Sequence, residues 1–131
     1  MYYWNDRKNF GDLLAPMILE FLSSSKCKNI TDKSANKLLS IGSVLDIQNI
    51  PNDGDVVWGS GIHCDCKIHA NNLDVRLLRG PLTRDVLLRN GISAPQKYCD
   101  PGVLAPFCYN IDKKQTIIRD ILVLLHFDDD K

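Results

Sequence analysis

The chain has 131 residues, 44% apolar and 24% charged, ordinary proportions for a globular protein with room for one core rather than two. Its 16 basic residues balance 16 acidic ones, so no overall field favours nucleic acid, and an anionic ligand would have to be held by local geometry. The start, Met1-Tyr2-Tyr3-Trp4-Asn5, lacks the basic flank and apolar run of a signal peptide, and no apolar stretch approaches the ~20 residues of a membrane span. These features point to the cytoplasm and leave room for peripheral association with a membrane surface. The cysteines (Cys27, Cys64, Cys66, Cys99, Cys108) are odd in number and scattered, which suggests reduced thiols rather than a disulfide framework.

In chain order, Met1 to Trp4 reads as a short strand and Asn9 to Asp12 as a turn. Leu13, Leu14, Met17, Ile18, Phe21 and Leu22 then form one apolar stripe, which predicts a helix from Leu13 to Leu22. Asp12 is placed to cap that helix, and Pro16 falls in its first turn. Lys37 to Ile41 and Asp55 to Trp58 are short continuous apolar runs, the pattern of strands buried on both faces. Val75 to Leu78 reads as a further strand. Pro81 just inside and Gly91 just past the next segment mark a helix with Leu82, Val86 and Leu87 inward. Lys97 to Cys99 and Ile121 to Leu125 complete the strands, and Ile62 to Leu73 reads as a long loop. Strands alternating with helices imply an α/β fold: one Rossmann-like domain with an open, mainly parallel sheet of about five or six strands and flanking helices.

The junctions where strands run into helices are where a parallel sheet gathers its ligand-binding groups. Arg79, before the helix that Pro81 opens, would place a guanidinium beside the N–H groups of Leu82 and Thr83, a clamp for carboxylate or phosphate. The plainer reading is a surface arginine paired with Asp85 or another acid. Gly59-Ser60-Gly61 could offer backbone N–H groups to an anion, or simply form a tight turn. Asp12 could contact a hydroxyl-rich ligand, with Gly11 allowing close approach, as well as cap. Asp100, before Pro101-Gly102, reads mainly as structural. His126, ending a buried strand, and His63, just past Gly61, are candidates for proton transfer, since imidazole titrates at about 6.5. His63-Cys64-Asp65-Cys66 with His69 has zinc-binding residue types, but Cys-x-Cys is tighter than the usual ligand spacing and no second ligand pair lies elsewhere, so no metal and no cofactor are expected.

With those residues in place, the chain resembles the N-terminal half of the polysaccharide pyruvyl transferase family. The resemblance runs from Tyr3-Trp4 through Asn-Phe-Gly-Asp (9–12), Val-Trp-Gly-Ser-Gly (57–61), Arg-Gly-Pro-Leu-Thr-Arg (79–84) and Asp-Pro-Gly (100–102) to Leu-His-Phe (125–127). It rests on their order and spacing. The resemblance implies one half of a two-domain, glycosyltransferase B-like enzyme. Such an enzyme moves an enolpyruvyl group from phosphoenolpyruvate onto two sugar hydroxyls in cell-surface or exopolysaccharide biosynthesis, forming a ketal and releasing phosphate. It implies an anion-binding role for Arg79, a place at the cleft for Asp12, and a crevice position near the domain junction for His126. Leu125 stands where the family has a proline before the histidine. The second half is expected outside these residues, which would leave this chain inactive alone and able to self-associate through the face that half would cover. Two alternatives stand beside this reading: a nucleotide-sugar glycosyltransferase of similar architecture, and a catalytically silent binding or assembly domain.

Overall fold

The computed structural model describes residues 1–7, 9–32, 35–47 and 50–109, so His126, the strand expected at Ile121 to Leu125 and the Leu-His-Phe string lie outside the described residues. Its centre is a three-stranded parallel sheet, β1 (Leu38–Leu39), β2 (Val56–Trp58) and β3 (Asp74–Leu77), in the spatial order β1-β2-β3. Parallel bridges from Tyr2 to Leu39 and from Leu78 to Tyr98 extend it by one segment on each side. The α/β class and the parallel arrangement agree with the sequence. The strands are shorter than expected: Met1 to Trp4 and Lys97 to Cys99 each contribute one bridging residue. The run from Lys37 leaves regular pairing after Leu39 and turns at Gly42, whose φ is 97°.

Strand side chains alternate between two apolar clusters on opposite faces of the sheet. Tyr2, Leu39, Val57 and Leu78 pack with Val44, Leu45, Val86 and Leu87 in one cluster. Met1, Ile41, Leu14, Ala15 and Ile18 form the other, with Leu38 and Trp58 packed against it. Burial on both faces explains why these strands read as unbroken apolar runs. Leu39, Val57, Leu78 and Leu87 are wholly enclosed, each contributing about 1.5–3 kcal/mol of apolar burial.

Helix α1 (Phe10–Ser23) begins before the apolar stripe does, because Asn9 is its cap: the Asn9 carboxamide oxygen accepts the Gly11 N–H at 2.9 Å. Asp12 therefore lies within the first turn and does not cap. Pro16 falls inside the helix rather than in its first turn, and its missing N–H leaves the Asp12 carbonyl without a helical donor. Helix α2 (Pro81–Arg89) has the expected ends, with Pro81 at its first position. Its buried face is Thr83, Val86 and Leu87, whereas Leu82 is 79% exposed.

No helix or strand occupies residues 59–73, and the side chain of Asn90, past α2, holds this loop: its Oδ1 accepts the Ile68 N–H at 2.9 Å and its Nδ2 donates to the Cys66 carbonyl at 3.1 Å. A 3-10 turn (Pro101–Leu104) and α3 (Ala105–Cys108) then pack against α1. Among the described residues no helix is long and apolar enough to cross a membrane.

Candidate functional site

Because all the paired segments run in one direction, their C-terminal ends open on the same side. There they surround a cleft of about 730 Å³ lined by Trp4, Asn9, Gly11, Asp12, Ile41, Gly42, Ser43, Val44, Ile47, His63, Arg79 and Asp100. Each segment contributes: Trp4 follows Tyr2, Gly42 and Ser43 follow β1, His63 follows β2, Arg79 follows β3, and Asp100 follows Tyr98. The strand order has no reversal among the described residues. The cleft is thus set by the shared direction of the strands rather than by a switch in their order.

Arg79 is exposed yet held in place. Its Nη2 donates to Ser43 Oγ at 2.6 Å and to the Ile62 carbonyl at 3.4 Å, rather than pairing with Asp85. The guanidinium lies over Gly61, where any side chain would collide with it. A planar cation fixed at the sheet end, with further N–H groups facing outward, suits a carboxylate or phosphate.

Asp12 faces the same cleft half-buried, and no hydrogen bond from another described residue reaches its carboxylate. Burial pushes its carboxyl above the usual carboxylate range, with the nearby His63 pulling the other way. Gly42 comes so close that a Cβ there would sit 2.5 Å from Asp12 Oδ1. His63 is exposed at the rim, its Nδ1 3.5 Å from Asp46 Oδ2. Asp100 accepts the Gly102 N–H at 2.8 Å as the cap of the 3-10 turn and also borders the cleft, so its structural reading holds.

Other expected residues are elsewhere. Gly59 and Gly61 do not offer their N–H groups to a ligand: Gly59 donates to the Leu77 carbonyl at 2.8 Å and Gly61 to the Gly42 carbonyl at 3.0 Å. Ser60 is fully buried, its hydroxyl donating to the Gly42 carbonyl at 3.1 Å. The Gly-Ser-Gly segment is spent on pairing its neighbours and acts on the site only by clearing space for Arg79. Thr83 is buried on the inner face of α2 and does not line the cleft.

Trp4, Gly42 and Ser43 were not singled out by the sequence. Gly42-Ser43 directly follows a buried strand and carries the same signal as Gly59-Ser60, so it was readable; Trp4 entered only as part of the resemblance, with no role attached to it. No known protein family, curated protein or solved structure matches this chain. The site must therefore be read from its own chemistry. It combines an anchored cation, a carboxyl biased toward its protonated form and a tryptophan in its lining, groups suited to an anionic ligand that also presents hydroxyls or an apolar face.

Proposed function

We propose that the cleft is one wall of a transferase site that moves an enolpyruvyl group from phosphoenolpyruvate to sugar hydroxyls, in a Rossmann-like half of a glycosyltransferase B-like enzyme. The observation that carries the reading is the joint placement of Arg79, anchored by Ser43, and the half-buried Asp12 in one cleft. The resemblance of the strings that hold them supports the choice of substrate.

In this mechanism Arg79 binds the carboxylate or phosphate of the donor. Asp12, whose raised affinity for a proton is set by burial, protonates the methylene carbon. A sugar hydroxyl attacks the resulting cationic carbon and returns its proton to the Asp12 carboxylate. The second hydroxyl then displaces phosphate, which leaves with that hydroxyl's proton, and the ketal closes. His63, at the rim, acts on the charge of Asp12. The opposite wall would come from a second half of the same architecture.

Calorimetric titration with phosphoenolpyruvate tests the donor assignment. Binding to this chain should weaken tenfold or more in Arg79→Ala, the loss of one charge-assisted contact of about 1.5–3 kcal/mol. Asp12→Asn should keep binding while stopping phosphate release in the protein joined to its second half. Thermal stabilisation by nucleotide-sugars and not by phosphoenolpyruvate would replace this reading with a glycosyltransferase.

A further inference from the structure

We propose that Asp46, His63, Cys64 and Cys66 form a binding site for a thiophilic divalent cation of the zinc class. The sequence argues against such a site because Cys-x-Cys is tighter than the usual ligand spacing and no second ligand pair lies elsewhere. The fold supplies a further ligand from outside the run. Asp46, well before that run in the chain, lies against it: Asp46 Oδ2 accepts the His63 N–H at 2.6 Å and the Cys64 N–H at 3.3 Å, with Cys64 Sγ at 3.8 Å and His63 Nδ1 at 3.5 Å.

The second observation is independent of that loop geometry. The Asp46 side chain is only 7% exposed, and its Oδ1 is enclosed with no hydrogen-bond partner among the described residues. An enclosed carboxylate oxygen without a partner is costly and rare, and it calls for a counter-charge. Asp46 and Cys66 together line a cavity of about 200 Å³ beside the loop. Two thiols, an imidazole and a carboxylate are the donor set of four-coordinate zinc, whereas calcium and magnesium take oxygen donors throughout.

Half of the set is held and half can move. Asn90 grips the Cys66 carbonyl, and Arg89 pairs with Asp65 at 2.9 Å, so α2 fixes the loop between the two cysteines. His63 and Cys64 are exposed. Among the described residues no three His, Cys, Asp or Glu side chains already converge on a common point. Loading would therefore draw His63 and Cys64 inward and release both thiol protons to solvent. This inference does not depend on the proposed transferase function.

Metal titration of the reduced chain tests it, using zinc against a chromogenic chelator and cobalt(II) as a spectroscopic probe. The expected result is one equivalent bound at submicromolar affinity, with thiolate-to-cobalt charge transfer and tetrahedral ligand-field bands. Asp46→Asn and Cys66→Ser should each weaken binding by at least about 10–100-fold. Cys64→Ser, at an exposed position that should not disturb folding, should reduce the charge-transfer band. Cys99→Ser, at an exposed cysteine outside the cluster, should change nothing. No saturable binding, an octahedral cobalt spectrum without thiolate bands, unchanged affinity in Cys64→Ser, or loss of binding in Cys99→Ser would each overturn the site.

Discussion

The two ends of the sheet use charged residues in opposite ways. At the end where the strands begin, Asp55 and Lys37 are both completely buried, 2.8 Å apart. Asp55 also accepts the Lys37 N–H at 3.0 Å and the Asn52 N–H at 2.9 Å. Asp53 beside it accepts the backbone N–H groups of Asn71 and Asn72, which hold its carboxyl below the usual range. Both carboxylates are consumed by the fold. At the end where the strands finish, Asp12 borders a cleft with no hydrogen bond from another described residue to its carboxylate, and burial raises its pKa. The difference separates charges that hold the chain together from charges left facing an open cleft.

The largest effect that could break this contrast is expected at the beginning of the strands. Asp55→Ala leaves the Lys37 ammonium enclosed, with its ion pair gone and no other hydrogen bond among the described residues. Removing one partner of such a pair costs about 3–5 kcal/mol. Denaturant unfolding should show that loss, while phosphoenolpyruvate affinity of the folded fraction stays unchanged. A cost below about 1 kcal/mol would mean that the pair does not hold the fold as its burial implies.

Two glycines sharpen the comparison within the cleft. Gly42 has a φ of 97°, and a Cβ there would press on Asp12. Gly42→Ala should therefore cost about 1–3 kcal/mol in backbone strain and also displace the carboxyl. At Gly61 the obstructing atoms belong to the far end of the Arg79 side chain, which can swing away. Gly61→Ala should change stability by less than about 1 kcal/mol, yet weaken phosphoenolpyruvate binding as much as Arg79→Ala does. Stability and affinity losses of equal size in both variants would show that Arg79 is part of the fold rather than poised for a ligand.

What the sequence revealed divides along the same line. Helix α2 was legible at both ends because proline and glycine act locally. The parallel sheet was legible because burial on both faces leaves unbroken apolar runs. The start of α1 was misplaced because two polar residues three positions apart, Asn9 and Asp12, can each serve as the cap, and only backbone geometry decides for Asn9. Gly59, Ser60 and Gly61 looked available because their consumption in pairing is non-local: it needs Gly42 and Leu77, far away in the chain. For the same reason Asp46 carried no signal in the sequence. Contact between the segment after β1 and the loop after β2 is a property of strand register.

The smallest expected effect concerns the sign of pH dependence at the two ends. The folded chain binds the Asp12 proton more tightly than the unfolded chain does, because burial disfavours the charged form. As pH rises past the ordinary carboxylate value the unfolded state ionises first. The stability lost to Asp12 then grows until the folded-state value is passed, and persists above it. Asp53 behaves inversely: its lowered pKa adds stability above the ordinary value, and that contribution is lost as pH falls through the folded-state value. Asp12→Asn should therefore gain on the wild type as pH rises through the window above the usual carboxylate range, and Asp53→Asn should lose ground over the window below it. For Asp12 the change should stay under about 1 kcal/mol, since the group is half open to solvent and screened. Replacing a carboxylate in the first turn of α1 also forfeits about 0.3–1 kcal/mol of helix-dipole attraction. The slope of the difference against pH, rather than its absolute size, therefore identifies the burial effect. A flat or reversed slope for Asp12→Asn would show that its carboxyl is not held toward the protonated form, and the acid role assigned to it would fall.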